Sequence, residues 1–407
     1  MKLPKTLAAL LPLTLALLTG ACAIIGDGDG ETASDSDSGD DSDSGGDELV
    51  PLDGPCGGAP TTPSNIAVVT NDFVNGGLSI ADAAMSVDVD VAPTSTDTVA
   101  TSHVGDLYLL HRYGFNSVDV LDSASWTVKG SFDVAVDDVP EPNPQSLVFA
   151  GDGLGYLTLF GAPEIQVIDF QGAAPTKVDS INISAFADDD GNPEAGVAIA
   201  CGSTLIVGIQ RLDPTYAPVD SSYLLAIDTA SHSAIDLDPN TEGVQGLALE
   251  GAWPRQIRVD PSDQSGETIL VLTSGIERIH VPTASRSWAV SAESLEAAGI
   301  TGFDTQAFVT DDAGQVAYLS ATDGTYPASA IYRVSIDDAA PAAPEKLISG
   351  ISTLDRAIER MGDQLWVGDA TVDASGLRVW DLSTDPPTEM TTDPLDTGLP
   401  PHTLASF

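Results

Sequence analysis

The sequence predicts an all-β protein, a seven-bladed β-propeller closed by its own C-terminal strand. Three observations carry this. A unit of alternating apolar residues, an aspartate, a small polar turn and a second alternating run recurs along the chain, as in "SVDVLDSASWTV" at 117–128. Its turn positions, Asp82, Asp122, Asp169, Asp228, Pro282, Asp337 and Asp381, make seven copies spaced by 40 to 59 residues, in the range of propeller blades. The chain ends are complementary. The first copy begins at "SNIAVVTND" with no inner strand ahead of it, and the chain finishes with "PPHTLASF", an inner strand with nothing after it.

The chain opens with "MKLPKTLAALLPLTLALLTGAC", in which Lys2 and Lys5 precede an apolar stretch from Leu7 to Leu18 that is too short to span a bilayer comfortably. The order of charge, apolar segment, small residues Thr19-Gly20-Ala21 and then Cys22 resembles a bacterial lipoprotein signal peptide, with Thr19 where that pattern most often has Leu. The resemblance implies removal of residues 1–21, lipid on Cys22 and attachment to a membrane through that lipid. Ala23 rather than Asp follows the cysteine, which implies an outer-membrane lipoprotein of the cell envelope, facing the periplasm or the cell surface.

Residues 22–63 are expected to form a flexible acidic linker, and 64–407 the propeller. Within the linker, "GDGDGETASDSDSGDDSDSGGDE" has no aromatic or branched apolar residue with which to offset its ordering entropy, so it reads as a self-repelling spacer. Its carboxylates have no closed geometry for a metal. With Cys22 assigned to lipid, Cys56 and Cys201 remain in a compartment that permits oxidation; they either bridge or stay as two thiols, since two isolated cysteines define no geometry.

Within each repeat a further apolar run stands ahead of the aspartate unit, as in "DLYLLHRYG", "GLGYLTLFG" and "DQLWVGDAT". Earlier still comes an inner run such as "PQSLVFAGDG" or "DTQAFVTDDAG", ending in the Asp/Gly turns of antiparallel hairpins. Four short strands with no helix between them cannot bury both sheet faces alone, whereas several such sheets packed radially can. The recurring aspartate is expected to accept bonds from backbone N–H groups of its own turn, a structural role. The segments "VVTND", "SVDVLDSA", "LLAIDTAS" and "LRVWDLST" resemble the YVTN and lactonase-like seven-bladed propeller family over residues 64–407. That resemblance implies architecture and leaves activity open.

Aligning the inner strands places Gln145, Gln256, Gln306, Arg356 and His402 at equivalent positions facing the central channel, with Val197 there in the fourth blade and His103 near it in the second. Such a ring either solvates a wet channel or binds a ligand. Loops expected on the same rim carry Arg112 and Arg211, opposite Glu141, Asp188, Asp190 and Glu194. Asp188, Asp190 and Glu194 have the spacing of a calcium loop, but Phe186 stands where the first ligand of the full order belongs. No other cofactor is expected.

With 15 basic against 61 acidic residues the net charge is −46, which repels nucleic acid. There is no G-x-S-x-G elbow, H-E-x-x-H pair, haem-attachment motif or phosphate loop. The reading is therefore an envelope-tethered, monomeric, non-catalytic binding or scaffold module that holds a small molecule, glycan or protein segment at its channel mouth. The alternative, implied by the resemblance, is a lactonase-like hydrolase of a sugar lactone, in which Arg356 and His402 serve the reaction.

Overall fold

Seven antiparallel sheets of short strands follow one another along the chain, and each packs its faces against the sheets before and after it. The computed structural model describes residues 49–58, 62–151, 153–172, 174–324, 327–337 and 339–407. The signal-like segment, Cys22 and the acidic run 26–48 lie outside the described residues. Six sheets have four strands; the fourth has a fifth short strand, Leu247–Ala248, paired to Tyr223–Asp228. The only α-helix among the described residues is Ala292–Ala297, between the fifth and sixth blades and capped by the Ser291 side chain. No helix among them is long and apolar enough to cross a membrane.

The first sheet shows how the ring closes. Its strand order is Pro401–Ser406, Asn65–Asn71, Gly76–Asp82 and Val87–Thr94, so the end of the chain supplies the inner strand that its beginning lacks. Leu404 stands opposite Val68, and Ser406 opposite Ile66. In Asn65–Asn71 the side chains alternate between two interfaces. Ile66 and Val68 pack with Trp366, Leu377 and Val379 of the seventh blade, while Ala67 and Val69 pack with Leu107 and Leu109 of the second. A period of two thus places apolar residues on both faces of one strand, which is why the run reads as continuously hydrophobic. Each of the seven blade-to-blade interfaces has an apolar cluster of this kind.

The repeated aspartates fix their hairpins as expected. The Asp82 carboxylate accepts from the N–H groups of Ala84 and Ser86, Asp122 from Ala124 and Ser125, Asp228 from Ser231, and Asp381 from Ser383. Asp169 and Asp337 do the same with Gln171 and Ala339.

Residues 49–58, assigned to the linker from sequence, pack against the propeller. Leu49, Val50 and Leu52 join the apolar cluster between the fourth and fifth blades, and the N–H groups of Leu49 and Val50 donate to the Pro282 carbonyl. Cys56 and Cys201 form a disulfide, with Cα atoms 3.7 Å apart. Beside it the Asp53 carboxylate accepts from the Ser203 N–H. Gly202 takes a positive φ of 61° there, and a Cβ on it would fall 1.9 Å from the Asp53 carboxylate, so this docking requires glycine. The segment meets the hairpins that end the inner strands, the face opposite the one where those strands begin.

Candidate functional site

The inner strands begin on one face of the disc, where the loops leading into them surround a cavity of about 410 Å³. A second cavity, of about 250 Å³, continues along the middle of the inner strands. Arg356 and Val197 line both, so they stand where the mouth narrows into the channel.

Of the residues expected to face the channel, Gln145, Gln306 and Arg356 line the mouth together, and Arg112 joins them from the rim. Gln256 lines the inner cavity, where its side-chain oxygen accepts from the Phe308 N–H of the neighbouring blade. His402 lines neither cavity; it is half-buried, and its Nδ1 has no hydrogen-bond partner. Burial pushes its pKa down, with Arg112 adding to that and Asp355 opposing it.

Two expectations about the rim are corrected. Arg112 does not face the acidic loops but turns inward, bonding Asp97 at 2.6 Å and Asp355 at 2.8 Å, because those carboxylates flank the inner strands of the second and seventh blades. Arg211 points away from the mouth, pairing with Asp220 at 2.7 Å and lying over the Tyr223 ring, while its neighbours Gln210 and Leu212 line the cavity. Arg211 lies just past strand Thr204–Ile209 with a left-handed φ of 55°, which turns its side chain away from those of its two neighbours. His103 likewise sits at the far end of strand Thr98–His103, stacked on Phe149 with ring centroids 3.8 Å apart.

The acidic loop is engaged with its own backbone. Asp188 accepts from the Asp190 N–H and Asp190 from the Asn192 N–H, while Glu194 accepts from the Leu212 N–H and the Asn192 side chain. Glu141 accepts from Gly114 and Asn116. Asp188, Asp190 and Glu194 do not gather as metal ligands: among the described residues no group of three or more His, Cys, Asp or Glu side chains is placed to hold an ion.

The mouth also contains groups that the alignment passed over. Asp355, beside Arg356, would be pushed up by burial, but Arg112, Arg356 and His402 hold its carboxyl at about 2. Arg255 donates to the carbonyls of Gly302 and Thr305 and to the Thr305 hydroxyl, and its guanidinium lies 5.5 Å from the Trp253 ring centroid and 5.8 Å from that of Phe303. With no carboxylate bonded to it, burial lowers it to about 10. A sequence signal for the two rings existed. "WPRQ" and "FDTQ" place an aromatic three residues before the channel glutamines Gln256 and Gln306.

The guanidinium of Arg356 has no hydrogen-bond or ion-pair partner among the described residues. Burial lowers its pKa, and Arg112 and Arg258 add to that against Asp355. The mouth therefore combines two cations without bonded carboxylates, one satisfied Arg–Asp cluster and an aromatic rim.

No family model and no curated protein matches the sequence. Solved structures of the same fold do. The Pseudomonas aeruginosa periplasmic gluconolactonase is 13% identical, with a TM-score of 0.55 over 84% of this chain and 98% of that one. A putative 6-phosphogluconolactonase from Bacteroides uniformis is 11% identical, with a TM-score of 0.54 over 85% and 100%. Its counterpart from Bacteroides fragilis is 12% identical, with a TM-score of 0.53 over 86% and 100%. At these identities the likeness is one of fold.

Proposed function

We propose that the protein is a binding propeller, displayed on the bacterial envelope through lipid on Cys22, that holds a small anionic molecule at its channel mouth without turning it over. Arg356 carries this reading. It is a guanidinium in the channel wall with nothing bonded to it, while the adjacent Asp355 is committed to Arg112. A partly desolvated cation without a bonded counter-ion is costly, and an anionic ligand relieves that cost. The acidic surface around the mouth excludes polyanions, so the ligand is small.

In a calorimetric titration of the full chain with small carboxylates, Arg356→Gln should weaken binding by roughly tenfold or more, the range of a lost charge-assisted hydrogen bond. Unchanged affinity in that variant would move the site elsewhere.

Hydrolysis of a sugar lactone is the second reading, supported by an imidazole, His402, within electrostatic reach of Asp355 and Asp97. A general base must reach the cavity and be oriented. His402 does neither, which favours binding. Lactone opening followed by pH-stat should not exceed the buffer rate; a rate abolished by His402→Gln would reverse the choice.

A further inference from the structure

We propose that the molecule held at the mouth is a compact aromatic carboxylate and not a polyhydroxylated sugar acid; this rests on the reading that the mouth binds an anion. Most polar side chains of the mouth are already bonded within the protein. Gln145 is bonded to Asn143 and Arg112, and Gln306 to Thr353 through both ends of its amide. Arg112 is spent on Asp97 and Asp355, and the Thr305 hydroxyl on Arg255. What remains in the cavity wall is the Arg356 guanidinium, the Nε and Nη2 groups of Arg255, the Gln210 side-chain amide, the Tyr216 hydroxyl and the second carboxylate oxygen of Asp355, none of which has a partner among the described residues. A hexuronate brings several hydroxyls besides its carboxylate, and each one desolvated without a partner is unfavourable. With the two guanidinium groups taken by the acid, the Gln210 amide, the Tyr216 hydroxyl and one Asp355 oxygen are left for hydroxyls, fewer than a hexuronate brings.

The rest of the wall suits a flat apolar body. The Trp253 and Phe303 rings stand edge to face, 5.9 Å apart, and the Trp253 indole N–H donates to the Tyr216 carbonyl, which ties the two rim loops together. Phe303 is 70% exposed and Tyr216 67% exposed, so large aromatic surfaces stay open beside the cavity without covering the protein's own core. Phe160, Leu212 and Pro254 continue the apolar wall inward. An aromatic ring between these surfaces buries apolar area on several sides while its carboxylate meets Arg356 or Arg255. A cavity of about 410 Å³ is of the size of small-molecule sites.

The test is isothermal titration of the full chain with indole-3-carboxylate, its neutral carboxamide and galacturonate. The aromatic acid should bind about tenfold tighter than either of the others, and Phe303→Ala, at a position exposed enough to spare the fold, should weaken it by about tenfold. Galacturonate binding as tightly as indole-3-carboxylate would overturn the aromatic class and leave the anion reading standing. A carboxamide that binds as tightly as the carboxylate would overturn the anion reading itself. No binding of any of the three at millimolar concentration would overturn both.

Discussion

Burial pushes the Glu194 carboxyl up to about 7, with Asp190 and Asp188 adding to the shift against the bonds from Leu212 and Asn192. The residue is only 4% exposed and holds the backbone of Leu212, whose side chain lines the mouth. An acid whose pKa is raised on folding binds more protons folded than unfolded between the two values. Its contribution to stability is therefore fully present below the unfolded pKa and lost as pH rises through the folded one. Glu194→Gln removes that titration. Between about pH 5 and 8 the wild type should lose on the order of 2–3 kcal/mol relative to the variant, read as the difference between their Tm–pH curves. Parallel curves would mean that Glu194 is already ionised at neutral pH in the fold. The sequence marked this residue for its spacing from Asp188 and Asp190, but its burial depends on the hairpin around Leu212, which local spacing does not encode.

At the scale of elements, the closing strand Pro401–Ser406 is held by Asn65–Asn71, more than three hundred residues earlier in the chain. Deleting 400–407 should leave the first sheet without its inner strand and open an edge to other chains. The truncated protein should aggregate or melt well below the full chain, as light scattering and calorimetry would show; equal melting and solubility would remove the closure argument. The disulfide acts on another element. It closes a loop with a sequence separation of 145 residues, for which unfolded-state entropy sets a ceiling of about 5 kcal/mol. Cys56→Ser should lower stability by about 2–4 kcal/mol and make residues 49–58 cleavable under limited proteolysis. Resistance equal to wild type would show that Leu49, Val50 and Leu52 hold the segment by packing alone.

At the scale of the whole propeller, seven apolar interfaces lie between blades, and the full sequence carries a net charge of −46. Residues 49–58 dock on the face opposite the mouth. Cys22→Ser should move the protein from the membrane fraction to the soluble fraction without changing the melting of the propeller. Membrane association that survives the substitution would refute the lipid anchor.

The sequence by itself determined the blade count, the turn-fixing role of the aspartates and the closure by the last strand. The count follows from the 40-to-59-residue spacing of the repeated turn, the aspartate role from residues acting within their own hairpin, and the closure from an inner strand missing in the first repeat and left over after the last. It also placed Gln145, Gln306 and Arg356 together, because equivalent positions in a repeat share a radius from the axis. Only the tertiary structure decided that Arg112 binds Asp97 and Asp355, that Arg211 turns away to Asp220, that His402 is left out of the cavity wall, and that Cys56 reaches Cys201. Those outcomes depend on the irregular loops between blades and on contacts across the ring. There, which way a side chain points is set by neighbours distant in sequence, and no local period records it.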